Sequence, residues 1–198
     1  MIKTDAILLK AQDSGDSDKL VWLLTADRGL IVAKMRGVKK AGAKLKGSAQ
    51  PFCFGKYQLI SKAGFFTITG CDIIDGFFAV AHDPDKYILG NLMLEIACES
   101  GRYGDNVLAV LLSALKDLVY SDTDPYNAAI NFVTAILAVL GYRVDIDSVS
   151  NPKIKAGLIA IGKGENIPRE VSVAVLKYLV THTQNRLMHK INALNMLD

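Results

Sequence analysis

Residues 4–40 read "TDAILLKAQDSGDSDKLVWLLTADRGLIVAKMRGVKK", and the way this stretch is punctuated decides the fold. It holds three short β-like runs, "DAILLK", "LVWLLTA" and "LIVAKM", set apart by breaks rich in Gly, Asp and Ser. Asp27-Arg28-Gly29, between the second and third runs, has the composition of a tight hairpin turn. Further along, "FCFGKYQLI" and "FFTITGCDII" are rich in Phe, Tyr, Ile and Thr and add two more strands within the first 75 residues. Five short strands at this spacing predict a small closed barrel, which leaves no unpaired edge. A sandwich normally needs about seven strands and ~100 residues. An OB-like barrel is therefore expected over residues 1–80.

From residue 83 the apolar period becomes helical. Asp83-Pro84 is a cap followed by proline at the first helical position, and Ile88, Leu89, Leu92, Met93, Ile96 and Ala97 form one stripe. A second helix is expected from Asp105, a third from Asp124-Pro125 to Gly141, a fourth from Pro168 to about His182, and a fifth in "RLMHKINALNML". The predicted fold class is α+β: an amino-terminal OB-fold barrel, then a helical domain over residues 81–198.

Charge divides along the same line. Residues 1–80 carry 12 Lys+Arg against 7 Asp+Glu, a net of +5, whereas residues 81–198 carry 11 against 13, a net of −2. Much of the excess sits in residues 33–52, "AKMRGVKKAGAKLKGSAQPF", where Lys34, Arg36, Lys39, Lys40, Lys44 and Lys46 occur without one acidic neighbour inside the segment. A solvated loop would account for exposed lysines. The absence of counter-charge, the glycines at 37, 42 and 47, and the aromatic residues Phe52, Phe54 and Tyr57 that follow point instead to a phosphate-binding groove with base-stacking rings. Alternation sends Phe52 and Phe54 to one face, which is either that stacking surface or the core. The alternative, from a different class, is an adaptor whose positive loop docks an acidic protein partner.

Other motifs carry less. "GLIAIGKG", residues 157–164, satisfies G-x-x-x-x-G-K but places Gly164 where a Walker A loop needs a magnesium-binding hydroxyl. Its Leu158-Ile159-Ala160-Ile161 core suggests a strand within an irregular hairpin. The histidines at 82, 182 and 189 fall in no H-E-x-x-H or G-x-S-x-G pattern, so no catalytic residue is assigned and no enzyme is expected. Three cysteines lack C-x-x-C spacing, and the amino terminus does not read as a signal peptide. These features predict a soluble protein of a reducing cytoplasm, without metal or cofactor.

The stretch over residues 4–40, continued by "LKGSAQPF", resembles the amino-terminal domain of the RecO family of bacterial recombination mediators. The second half is similar too, through "FVTAILAVLGYRVDID" and "YLVTHTQNRLMHKINALNML". The resemblance implies an OB fold joined to a helical domain, with no enzymatic turnover. It also implies binding of single- and double-stranded DNA, strand annealing, and action with RecR to help RecA replace single-strand binding protein, at the nucleoid during repair. The acidic, apolar carboxyl tail of that binding protein is a further implied ligand, with Lys116, Arg143 and Lys177 as candidate cations. Many family members carry a four-cysteine zinc module after the G-Y-x-x-D-x-D stretch; this sequence has no cysteine after Cys98. Tetrahedral zinc needs four ligands, so residues 143–167 are expected to form a shortened, metal-free hairpin.

Overall fold

A computed structural model describes every residue except Asp105 and Asp198. The chain forms two compact units, Met1–Phe78 and Ala79–Asp198.

The first unit is a closed barrel of five strands: β1 (Ile2–Ser14), β2 (Asp18–Thr25), β3 (Gly29–Met35), β4 (Phe54–Lys62) and β5 (Phe65–Asp75). Their order around the barrel is β1-β2-β3-β5-β4, and β4 returns to β1 to close it. All neighbours are antiparallel except β3 and β5, which run parallel through Ala33↔Phe66 and Met35↔Ile68. This is the OB fold expected from the sequence. The β2–β3 connection is the anticipated tight turn, with Gly29 at φ 60°. The strands alternate across the sheet. Ala6, Leu8, Val21, Leu23, Ile31, Ala33, Met35, Tyr57, Leu59 and Ile68 face inward and fill the barrel. Each fully buried large side chain among them contributes about 1.5–3 kcal/mol.

The second unit is helical: α1 (Pro84–Ser100), α2 (Val107–Tyr120), α3 (Pro125–Val139), α4 (Pro152–Gly162) and α5 (Arg169–Leu187). Asp83 and Asp124 cap α1 and α3 as the Asp-Pro pairs predict, the Asp124 carboxylate accepting from the amides of Tyr126 and Asn127. The central helix is α3, whose Phe132, Val133, Ile136 and Leu137 are buried where it packs against α1, α2 and α5. Among the described residues, no helix is long and apolar enough to cross a membrane. The expected start of the second helix, Asp105, lies outside the described residues.

Two expectations are overturned. Residues 143–167 are not a hairpin. They contain a short 3-10 turn (Ile146–Ser148) and then α4, so Leu158 to Ile161 are helical and not a strand. The cause is a third cap–proline device. The Asn151 side chain accepts from the amides of Lys153 and Ile154, and Pro152 occupies the first helical turn. The carboxyl-terminal segment is no fifth α-helix either. Helix α5 runs to Leu187, past His182, and ends where Met188 turns left-handed at φ 51°. A 3-10 helix follows (Asn192–Leu197), its start held by Glu95 of α1, which accepts from the backbone amides of Asn192 and Ala193.

Candidate nucleic-acid interface

The basic segment joins β3 to β4 across residues 36–53 and forms no regular helix or strand. It is a run of turns: the amides of Lys40, Ala43, Lys46 and Ala49 each bond the carbonyl three residues earlier, at 3.1–3.4 Å. Its few apolar side chains point one way. Val38 and Ala49 are buried in the barrel core and Leu45 packs against it, so the segment acts as a lid on the barrel. The cations consequently point the other way. Arg36, Lys39, Lys40, Lys44 and Lys46 are exposed, and Lys34 is half-buried at the end of β3.

The lid is tied to the β1–β2 turn. Gly37, at φ 64°, donates its amide to the Asp18 carboxylate at 2.8 Å, and the Lys39 amide bonds the Ser17 carbonyl at 2.9 Å. A side chain is strained in that left-handed conformation, which glycine adopts freely. Lys34 pairs with Asp18 at 3.0 Å and Lys39 with Asp13 at 2.7 Å. At the far end, the Tyr57 hydroxyl lies 3.2 Å from the carbonyl oxygens of both Ser48 and Cys53. Burial pushes the Tyr57 phenol well above its usual range, which keeps it a donor at every working pH.

These ion pairs correct one expectation. The six cations are not all uncompensated, because the pairing of β1, β2 and β3 brings Asp13 and Asp18 to Lys39 and Lys34. Among the described residues, Arg36, Lys40, Lys44 and Lys46 have no ion pair, and these four are the positive face of the lid.

The aromatic residues are corrected too. Tyr57 and Phe52 are 0% and 5% exposed, so neither offers a ring face to a base. Phe52 sits at φ 73°, which breaks the alternation assumed for it, and Phe54 is half-buried at the start of β4. A ring outside the basic segment, Trp22, does face outward. Val21 and Leu23 fill the core, so Trp22 projects from the outer face of β2, with the Lys10 ammonium 5.0 Å from its ring centroid. The uniformly apolar run "LVWLL" gives no sign of which of its residues face outward.

Asp18 gives the lid a pH-dependent latch. Its carboxyl is held down at about 2, from an ordinary 3.8, chiefly by the Gly37 amide and then by Lys34. Asp13 is lowered as well, first by its hydrogen bond from Lys39. A depressed carboxyl stabilises the fold above its unfolded-state value and loses that contribution as protons bind the native form. Lid anchoring should therefore be complete above about pH 4 and lost towards pH 2. The check is an amide chemical-shift titration in which the Gly37 resonance moves with a midpoint near that of Asp18.

In the helical unit, the candidate tail-binding cations do not converge. Arg143 lines an apolar cavity of about 310 Å³ bounded by Ile130, Leu137, Ile146, Leu158 and Leu179 among others. Lys116 is exposed on α2 and Lys177 half-buried on α5, and neither is among the lining residues. Among the described residues, no group of three or more His, Cys, Asp or Glu could hold a metal ion.

A family model described as the recombination protein O N-terminal domain matches residues 1–77, the whole of the barrel. The barrel belongs to the RecO amino-terminal domain family. It is 32% identical over 150 residues to the DNA repair protein RecO of Clostridium novyi, covering 74% of this chain and 59% of that protein. It is 22% identical to the DNA repair protein RecO of Acetivibrio thermocellus, over 74% of this chain and 60% of the other. With that of Bacillus pumilus the identity is 27%, over 74% and 58%. The chain thus spans about three fifths of the length of the curated RecO relatives it matches.

Proposed function

We propose that this chain is a nonenzymatic mediator of DNA repair and homologous recombination, acting on DNA in the bacterial cytoplasm. The observation that carries this is the lid: Arg36, Lys40, Lys44 and Lys46 stand on one exposed segment, without carboxylate partners among the described residues, on an OB barrel. Such cations bind a polyanion by releasing its condensed counterions, which gives affinity for single and double strands alike and little base preference. A surface that neutralises two backbones also lowers the repulsion between complementary strands, which is the physical requirement for annealing.

The family resemblance extends this to partners. RecR would share the DNA with this chain, and together they would help RecA take the place of single-strand binding protein. The acidic, apolar carboxyl tail of that binding protein suits the cavity beside Arg143, which offers an apolar floor and one guanidinium for a carboxylate.

The test is a fluorescence anisotropy titration with labelled oligonucleotides at several salt concentrations. With four phosphates engaged on a single strand, log K should fall against log salt with a slope of about −3, from roughly −0.7 per phosphate. Flat titrations at low salt would remove DNA as the ligand and favour an acidic protein partner for the lid. A labelled tail peptide, titrated separately, should bind the native chain and lose about tenfold in affinity to Arg143→Ala, the scale of one charge-assisted hydrogen bond.

A further inference from the structure

The outer wall of the barrel carries a band of side chains that the lid does not use. Lys10 of β1 stands opposite Trp22 of β2, and Trp22 opposite Val32 of β3. The parallel register Ala33↔Phe66, continued by one residue, sets Val32 beside Phe65 of β5. All four project away from the core, since their neighbours Val21, Leu23, Ile31, Ala33 and Ile68 fill it. Val32 is 42% exposed and Phe65 is 79% exposed. Phe65 owes its position to a two-residue hairpin, Ala63-Gly64, in which both residues have positive φ (50° and 82°), the type I′ geometry that matches strand twist.

A half-buried indole and an exposed phenyl ring, separated by one strand on a four-strand face, are an expensive surface to leave in water. The surrounding charge indicates what covers them. Lys10 lies over the Trp22 ring, Lys62 stands opposite Phe65 at the hairpin, and Lys34 and Arg36 continue the outward face of β3 from Val32 into the lid. An apolar protein partner would have to desolvate the charges of Lys10, Lys62 and Arg36, which have no ion pair among the described residues, without compensation. A chain of alternating flat apolar rings and phosphates satisfies both features together.

We propose that Trp22 and Phe65 form a base-stacking platform for unpaired nucleotides, with Lys10 moving from the indole face to a phosphate as a base takes its place. Phosphates beyond the platform run past the Asp18-paired Lys34 to Arg36 and the rest of the lid. This rests on DNA being the ligand of the lid and adds what the lid lacks, a means of telling single strands from duplexes. In a duplex the bases are stacked on each other and unavailable to the rings, while any exposed unpaired base has a face to offer.

Trp22 is the single tryptophan of the chain, so intrinsic emission reports this position alone. The native chain is titrated with an unlabelled thymidine oligonucleotide, with a duplex of equal length, and with inorganic polyphosphate, while anisotropy of labelled DNA follows binding independently. Emission should be quenched by the single strand in step with anisotropy, and changed much less by duplex or polyphosphate. Phe65→Ala, at an exposed hairpin position that the core does not need, and Trp22→Ala should each weaken single-strand binding at least about fivefold, the lower end of one stacked base. Both should leave duplex binding within about twofold, and Trp22→Phe should restore part of the loss. DNA binding by anisotropy with unchanged Trp22 emission and unaltered affinity in Phe65→Ala overturns the platform and leaves the lid as the site. Flat anisotropy at low salt overturns both.

Discussion

Replacing Arg36, Lys40, Lys44 and Lys46 together by glutamate is expected to lower DNA affinity at least a hundredfold at ~0.1 M salt and to abolish most of its salt dependence. Each phosphate contact removed should take about one unit from the slope on duplex DNA and somewhat less on a single strand. Unrelated sequences should lose affinity to the same degree, because backbone contacts carry no base information. The fold should survive. These four side chains are exposed and make no ion pair among the described residues, so reversing them breaks nothing that holds the lid. Lys34 and Lys39 serve as the internal control. Their charges are already matched by Asp18 and Asp13, and replacing them by alanine should change DNA affinity far less than the same substitution at Lys40 or Lys44. Anisotropy titrations of the variants over a salt series read both quantities at once.

The largest effect on stability is expected at Tyr57. Its ring is fully buried among the side chains that fill the barrel, and its hydroxyl meets the Ser48 and Cys53 carbonyls where the lid returns to β4. Truncation to alanine removes the packing and leaves a cavity, at a cost of about 3–5 kcal/mol. That is a large fraction of the ~5–15 kcal/mol available to a domain. Tyr57→Phe keeps the ring and, while the Cys53 carbonyl keeps the Leu8 amide, leaves the Ser48 carbonyl short of a donor, which should cost about 1–3 kcal/mol. Urea unfolding followed by Trp22 emission separates the two, since that residue lies in the same unit. Equal midpoints for the phenylalanine variant and the native chain would show that the hydroxyl does not secure the lid.

What the sequence disclosed of this fold, and what it hid, follows the range of the interactions. Strands and capped helices are local, and alternation, turn residues and the Asp83-Pro84 and Asp124-Pro125 pairs reveal them directly. The same device at Asn151-Pro152 was equally visible, but the apolar run after it matched a strand as well as a helix, and only its packing against α5 resolves the ambiguity. The cations were legible because lysines between glycines stay exposed. Their partners were not, since Asp13 and Asp18 lie 26 and 16 residues before Lys39 and Lys34 in the chain and meet them only when β1, β2 and β3 pair. Phe52 and Tyr57, near the lysines in sequence, turn inward, whereas the sheet places Trp22 and Phe65 on its outer face, one on each side of β3.

The return of β4 to β1 sets the order in which this barrel can assemble. Ile2 pairs with Leu59, 57 residues further on, so β1, β2 and β3 can form a local meander long before closure. At ~5–20 residues per second on the ribosome, the β1 edge waits several seconds for its second neighbour. Throughout that interval its amides and carbonyls are open to pairing with another nascent chain. Closure, a non-local step, is where folding of the unit should be slowest and where association between incomplete molecules competes with it.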